Sequence, residues 1–108
     1  HDPAIVQAYQ NDRLVHNRIS ARLAHFIDSN GPRVVAAAPS WAVPTLLMYA
    51  GADLLVRPEG SRAFAAVAPP QWVSSRRLDG QFHEIFNETD PSTAYATLSA
   101  WLDHQAPA

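Results

Sequence analysis

Residues 44–53 read Pro-Thr-Leu-Leu-Met-Tyr-Ala-Gly-Ala-Asp, an apolar run that ends in Gly-x-Asp. The run is short, is bounded by Pro44 and Gly51, and is apolar at consecutive positions, which predicts a buried strand covered on both faces. Such a strand presents the side chain that follows it at the carboxyl edge of the sheet. The segment therefore predicts that Asp53 offers a carboxylate at the end of a buried strand.

Residues 79–88 form the second informative stretch and read Asp-Gly-Gln-Phe-His-Glu-Ile-Phe-Asn-Glu. We interpret this stretch as a loop that delivers the imidazole of His83. A carboxylate and an imidazole make two-thirds of a hydrolytic triad, in which the imidazole takes a proton from a nucleophile and the carboxylate fixes its tautomer. On the residues alone, Asp53 could instead be a turn residue, and His83 could be a loop histidine bonded to the backbone.

A nucleophile for such a triad is not evident in the chain. There is no Gly-x-Ser-x-Gly turn, and Ser61 alone among the serines follows a glycine, without a second glycine or a preceding strand. The other serines are Ser20, Ser29, Ser40, Ser74, Ser75, Ser92 and Ser99. We expect the nucleophile to lie on a segment outside these residues.

Metal-dependent chemistry has little support in the sequence. The chain has no cysteine, and Glu84 and Glu88 beside His83 form a His-Glu-x-x-x-Glu spacing that is not a recognised metal-ligand pattern. We therefore predict no metal ion at this stretch. His16 and His25 could contact a substrate, but surface histidines of helices are the favoured interpretation.

Composition limits the remaining function classes. The chain has 108 residues and a net charge of −2, and its largest basic cluster is Arg76-Arg77, so we expect no nucleic-acid partner. All eight basic residues are arginine, which favours a GC-rich bacterial genome. With no apolar run of membrane-spanning length, we expect a soluble protein, cytoplasmic or peripherally associated with membranes or lipid aggregates.

The pattern along the chain predicts an α/β fold. We expect helices over 2–10, 18–29, 34–38, 58–68 and 91–104 and strands over 45–49 and 72–78. Asn17 is the expected cap of the second helix and Asn30-Gly31-Pro32 its end. The apolar stripe Ile19, Leu23, Phe26 and Ile27 on that helix would pack on a core or line an acyl channel. Two parallel strands cannot close a core, so further strands must come from elsewhere.

With Asp53 and His83 placed in this way, the chain resembles the C-terminal half of monoacylglycerol lipase and lysophospholipase-like α/β-hydrolases, the serine aminopeptidase-like branch. The matching stretches are Asp12-Arg-Leu-Val-His16 with Arg18, Val43-Pro-Thr-Leu-Leu47, Tyr49–Val56 and Asp79–Glu88. The resemblance implies that residues 1–40 form a lid or cap segment. It implies that residues 41–108 form the C-terminal part of the hydrolase core, with its last two parallel strands.

The resemblance also implies a function, one that needs no cofactor and no metal ion. Asp53 would be the triad acid and His83 the triad base of a serine hydrolase that cleaves carboxylic esters of lipid type, a monoacylglycerol or a lysophospholipid. Its partner would be the N-terminal half of the same hydrolase, which supplies the nucleophilic serine and the oxyanion hole. Another esterase, a peptidase or an epoxide hydrolase is an alternative of the same fold. A non-catalytic interaction fragment is the alternative from another class.

Overall fold

A computed structural model describes residues 2–105 of the chain. Over these residues the order of elements is α1 (Pro3–Asn11), α2 (Ala21–Ala37), β1 (Thr45–Ala50), α3 (Pro58–Val67), β2 (Val73–Leu78) and α4 (Ser92–Gln105). A short 3-10 helix, Ala38–Ser40, follows α2 directly. The predicted lid segment, residues 1–40, begins at residue 1, and the predicted core segment, residues 41–108, ends with residues 106–108. Residue 1 and residues 106–108 lie outside the described residues.

The two strands pair in parallel, as the sequence pattern predicts. The register runs from Thr45 opposite Val73 to Ala50 opposite Leu78. Because the strands are parallel, the loop that follows β1 and the loop that follows β2 leave the same edge of the sheet. Ala50 and Leu78, the last residues of the two strands, are both buried and fix this edge.

A small apolar core joins the helices to the sheet. Its buried members are Ala38, Phe64, Ala68 and Val73, with Val35, Trp41 and Leu47 packed against them. The indole of Trp41 meets the ring of Phe64 edge to face at 5.3 Å, and its Nε1 donates a hydrogen bond to Oγ1 of Thr45 at 2.9 Å. The connector before β1 is therefore fixed to both α3 and the strand.

The prediction for the second helix is wrong at both ends. Ser20, rather than Asn17, caps α2, since its Oγ accepts a hydrogen bond from the N–H of Leu23 at 3.2 Å. The helix also continues through Gly31 and Pro32 to Ala37, so the helical segment expected over 34–38 belongs almost entirely to α2 and is not a separate element. A proline inside a helix removes one backbone N–H and crowds the carbonyl four residues earlier, but the last turn of α2 packs against the core through Val35.

The other predicted elements match the structure to within two residues at each end. Asp2 caps α1 through a hydrogen bond from the N–H of Ala4 at 2.8 Å, and Asp90 accepts one from the N–H of Ser92 at the start of α4. The apolar stripe of α2 is exposed over the described residues. No helix within residues 2–105 is both long and apolar enough to cross a membrane.

Candidate active site

Asp53 follows β1 by three residues and is held by the backbone of its own turn. Its Oδ1 accepts hydrogen bonds from the N–H groups of Leu55 at 2.8 Å and Val56 at 3.0 Å. Burial raises the pKa of the carboxyl, but hydrogen bonds from Val56, His83 and Leu55 outweigh burial and hold that pKa below its ordinary value of 3.8. Asp53 is therefore an oriented, ionised carboxylate at neutral pH.

His83 lies in the loop between β2 and α4, directly opposite Asp53. Its Nδ1 is 2.8 Å from Oδ2 of Asp53, so the contact expected between the two side chains is present. An ionised carboxylate only accepts hydrogen bonds, so its partner nitrogen Nδ1 carries the proton and Nε2 is left as the acceptor. The Asp53 side chain is 10% exposed and that of His83 45% exposed, which leaves the imidazole open to a reacting group.

Backbone hydrogen bonds extend the pairing of the strands into the two loops. The N–H of Gly51 donates to the carbonyl of Leu78 at 2.9 Å, and the N–H of Ala52 donates to the carbonyl of Gln81 at 3.0 Å. Gln81 is two residues before His83, and Ala52 immediately precedes Asp53. The loop that carries the acid is therefore joined to the loop that carries the imidazole by backbone as well as by side chains.

Two glycines allow this close approach. A Cβ on Gly51 would lie 2.9 Å from Nε of Arg77 and 3.0 Å from Cα of Asp79, so only glycine fits without a shift. Gly80 has a φ of 78°, in the left-handed region that side chains with a Cβ disfavour. Gly80 thus turns the chain from β2 toward His83.

Carboxylates shape the loop that carries His83. Oε1 of the buried Glu88 accepts a hydrogen bond from the N–H of Phe82. Oε2 of Glu84 accepts one from the side-chain amide of Asn87 at 2.7 Å, and the N–H of Asn87 donates to the carbonyl of Glu84 at 2.8 Å. Both glutamates thus accept hydrogen bonds from protein N–H groups. Within residues 2–105, no three side chains of Asp, Glu, His or Cys lie close enough together to hold a metal ion.

A cavity of about 240 Å³ opens beside His83. It lies between α1 on one side and the loops that carry the acid and the imidazole on the other. Apolar side chains form most of its wall, and no serine is among the residues that line it within the described part of the chain. The lining residues are Asp2, Ile5, Val6, Tyr9, Leu55, Phe82, His83, Glu84 and Asn87.

The structure brings together Asp53 and His83, but not the other histidines considered from the sequence. His25 lies exposed on α2, and Nδ1 of the exposed His16 accepts a hydrogen bond from the N–H of Arg18 at 3.4 Å. Residues 1–40 are expected from the sequence to form a lid, but Ile5, Val6 and Tyr9 of α1, which line the cavity, were not singled out there. Their signal was the helical spacing of Ile5 and Tyr9, which places both on one face.

Comparison with known proteins supplies the wider context of this site. A family model described as serine aminopeptidase, S33, matches residues 1–90. Monoacylglycerol lipase of Mycolicibacterium smegmatis is 26% identical over 102 residues, which are 94% of this chain and 36% of the lipase. An abhydrolase domain-containing protein of Dictyostelium discoideum is 28% identical over 94% of this chain and 11% of its own length.

A solved structure gives the same result. The crystal structure of Paleococcus ferrophilus monoacylglycerol lipase superposes with a TM-score of 0.88 and 29% identity, over 97% of this chain and 41% of that one. The chain thus spans less than half the length of each of these proteins, and its two parallel strands and helices match a portion of the α/β-hydrolase fold. The chain belongs to the serine aminopeptidase, S33 family of hydrolases.

Proposed function

We propose that this chain is the C-terminal segment of a serine hydrolase that cleaves carboxylic esters of lipid type. The observation that carries the proposal is the hydrogen bond between Asp53 and His83 at the ends of two adjacent parallel strands, beside an apolar cavity. Asp53 is the triad acid and His83 the triad base. The nucleophilic serine lies on a segment outside this chain.

The chemistry follows from the protonation of the pair. Nε2 of His83 takes the proton from the serine hydroxyl as the serine oxygen attacks the ester carbonyl. The imidazolium then gives this proton to the departing alcohol, which leaves an acyl-enzyme that a water molecule hydrolyses by the same proton path. Asp53 remains ionised throughout, holds Nδ1 protonated and stabilises the imidazolium by its charge.

The cavity supports an ester with a hydrocarbon portion. Ile5, Val6, Leu55 and Phe82 contribute apolar surface next to the imidazole. Burying a hydrocarbon chain there is favourable by about 0.8 kcal/mol per methylene group. The relatives named monoacylglycerol lipase act on an ester of this kind, as their names state.

The N-terminal half of the same hydrolase is the proposed partner, with residues 1–40 as the lid segment and residues 41–108 as part of the core. A second, largely apolar cavity of about 970 Å³ opens between α2, α3 and β1. Val34, Val35, Leu47 and Phe64 contribute to its wall. Open apolar surface of this kind is typical of a face that another part of a protein covers.

The proposal is tested by turnover of the complete hydrolase, this chain together with its Ser-bearing half. His83→Ala should reduce kcat on p-nitrophenyl esters by a factor on the order of 10⁴–10⁶. Assays with an aminoacyl p-nitroanilide in parallel distinguish an ester hydrolase from an aminopeptidase. Activity that survives His83→Ala contradicts the mechanism and favours the non-catalytic fragment.

A further inference from the structure

The loop that carries His83 contains the one buried charged side chain of residues 2–105. Glu88 is 9% exposed and lies five residues after the imidazole. An ionised carboxylate is costly to bury unless strong hydrogen bonds compensate for the lost water. What this carboxylate does for the loop follows from the backbone group that it binds.

Glu88 bonds to the backbone next to the imidazole. Its Oε1 accepts the N–H of Phe82, the residue immediately before His83, and so closes a ring of backbone from 82 to 88. Gln81, on the other side of Phe82, is held by the N–H of Ala52. The backbone that enters His83 is therefore fixed from two directions, by the acid loop and by Glu88.

The other glutamate of the loop makes a different connection. Glu84 bonds to the side chain and the backbone of Asn87 and lies exposed. These contacts stabilise the turn that follows His83 but do not reach the peptide group that precedes it. The peptide group between Gln81 and Phe82 is therefore held on both sides, through its carbonyl by Ala52 and through its N–H by Glu88.

We infer that Glu88 is a positioning residue for His83, which it holds in line with Asp53 through the N–H of Phe82. The inference rests on the proposed function, because the consequence of a displaced imidazole is measured in turnover. A displacement of about 1 Å in a reacting group can reduce the rate by a factor on the order of 10². Glu88 itself touches no reacting atom in this role.

The test compares two variants of equal size in the complete hydrolase. Glu88→Gln keeps an oxygen that can accept the N–H of Phe82, whereas Glu88→Met fills the space without an acceptor. Glu88→Met should lower kcat by about 10- to 100-fold with KM changed less than about threefold, and should slow labelling by a fluorophosphonate to a similar extent. Glu88→Gln should retain at least about a third of the parent kcat, since an amide oxygen also accepts hydrogen bonds.

Asp90→Ala is the matched control. Asp90 is a carboxylate of the same loop, but it accepts the N–H of Ser92 at the start of α4. Its removal should lower Tm while kcat stays within about twofold, because a lost helix cap affects stability and not the imidazole. The comparison separates general destabilisation from displacement of His83.

A measurement on the parent protein covers the case in which a variant does not fold. The amide proton of Phe82 should exchange with solvent at least on the order of 100-fold more slowly than an unprotected amide. An unprotected Phe82 amide, or equal kcat values for Glu88→Gln and Glu88→Met, overturns the inference. His83→Ala distinguishes failure of this inference from failure of the proposed function. If the His83→Ala variant retains activity, the proposed function is refuted. If His83→Ala is inactive while Glu88→Met is fully active, only the role of Glu88 is refuted.

Discussion

Gly51 and Asp79 lie in backbone contact at the carboxyl ends of the two strands, where a Cβ on Gly51 would stand 3.0 Å from Cα of Asp79. Gly51→Ala should therefore push the two loops apart and lower the free energy of unfolding by about 1–3 kcal/mol. Chemical denaturation of the complete hydrolase measures this loss. Asp79→Ala in the same background should not restore stability, because the contact with the backbone of residue 79 persists. Full restoration would show that only side-chain crowding was involved.

Gly80 gives a second prediction, which concerns backbone conformation and not space. Its φ is 78°, and nothing within 4 Å would touch an added Cβ. Gly80→Ala should lower the free energy of unfolding by about 1–2 kcal/mol, whereas Gly80→Asn should cost less because asparagine tolerates this conformation. Equal losses in the two variants, measured by chemical denaturation, would argue against a conformational cause.

The pH dependence of stability should report the lowered pKa of Asp53. The folded-state pKa lies below the unfolded value of about 3.9, so the carboxylate contributes stability that is complete above this pH and is lost as pH falls through the folded value. The difference in free energy of unfolding between the parent and Asp53→Asn should narrow as the pH falls below about 4. A difference that widens toward acid pH contradicts this prediction. Denaturation curves between pH 7 and pH 2 provide the measurement.

Asp53→Asn should also reduce activity, though less than His83→Ala. The imidazole of His83 remains in place, but the neutral amide that replaces the carboxylate neither fixes the tautomer of the imidazole nor stabilises its cationic form. We therefore expect a loss of kcat on the order of 10⁴. Hydrolysis of a p-nitrophenyl ester by the complete hydrolase measures the loss. A kcat within tenfold of the parent would remove Asp53 from the triad.

Val6 should influence which acyl chains the site accepts, because it lines the cavity beside His83. Val6→Trp fills part of this space and should lower kcat/KM for an octanoate ester by about tenfold or more, with a smaller effect on the acetate. Gln7→Trp is the matched control, since the neighbouring residue of α1 does not line the cavity. Equal losses on both esters would indicate that the cavity does not hold the acyl chain.

The parallel pair could be predicted from local patterns, and the acid–imidazole contact from those patterns together with the resemblance to α/β-hydrolases. The run from Thr45 to Ala50 is apolar and ends in Gly-x-Asp, and the separation of the strands allows one helix between them. Once the strands are parallel, both following loops must leave the same edge, and Asp53 and His83 then fall within reach of each other. The length of α2 could not be predicted, because the packing of Val35 on the core outweighs the local signal of Gly31-Pro32.

The sequence by itself determined the order of the main helices and strands and offered Asp53 and His83 as the candidate pair, since these follow from periodicity, from turn and capping residues and from the chemistry of carboxylate and imidazole. Only the tertiary structure decided which backbone groups join the loops, that Glu88 reaches Phe82, and that α1 forms a wall beside His83. These contacts join residues within an irregular loop or on separate elements, and no repeat or spacing in the sequence predicts such contacts. Their geometry results from the twist and packing of the strands and helices together.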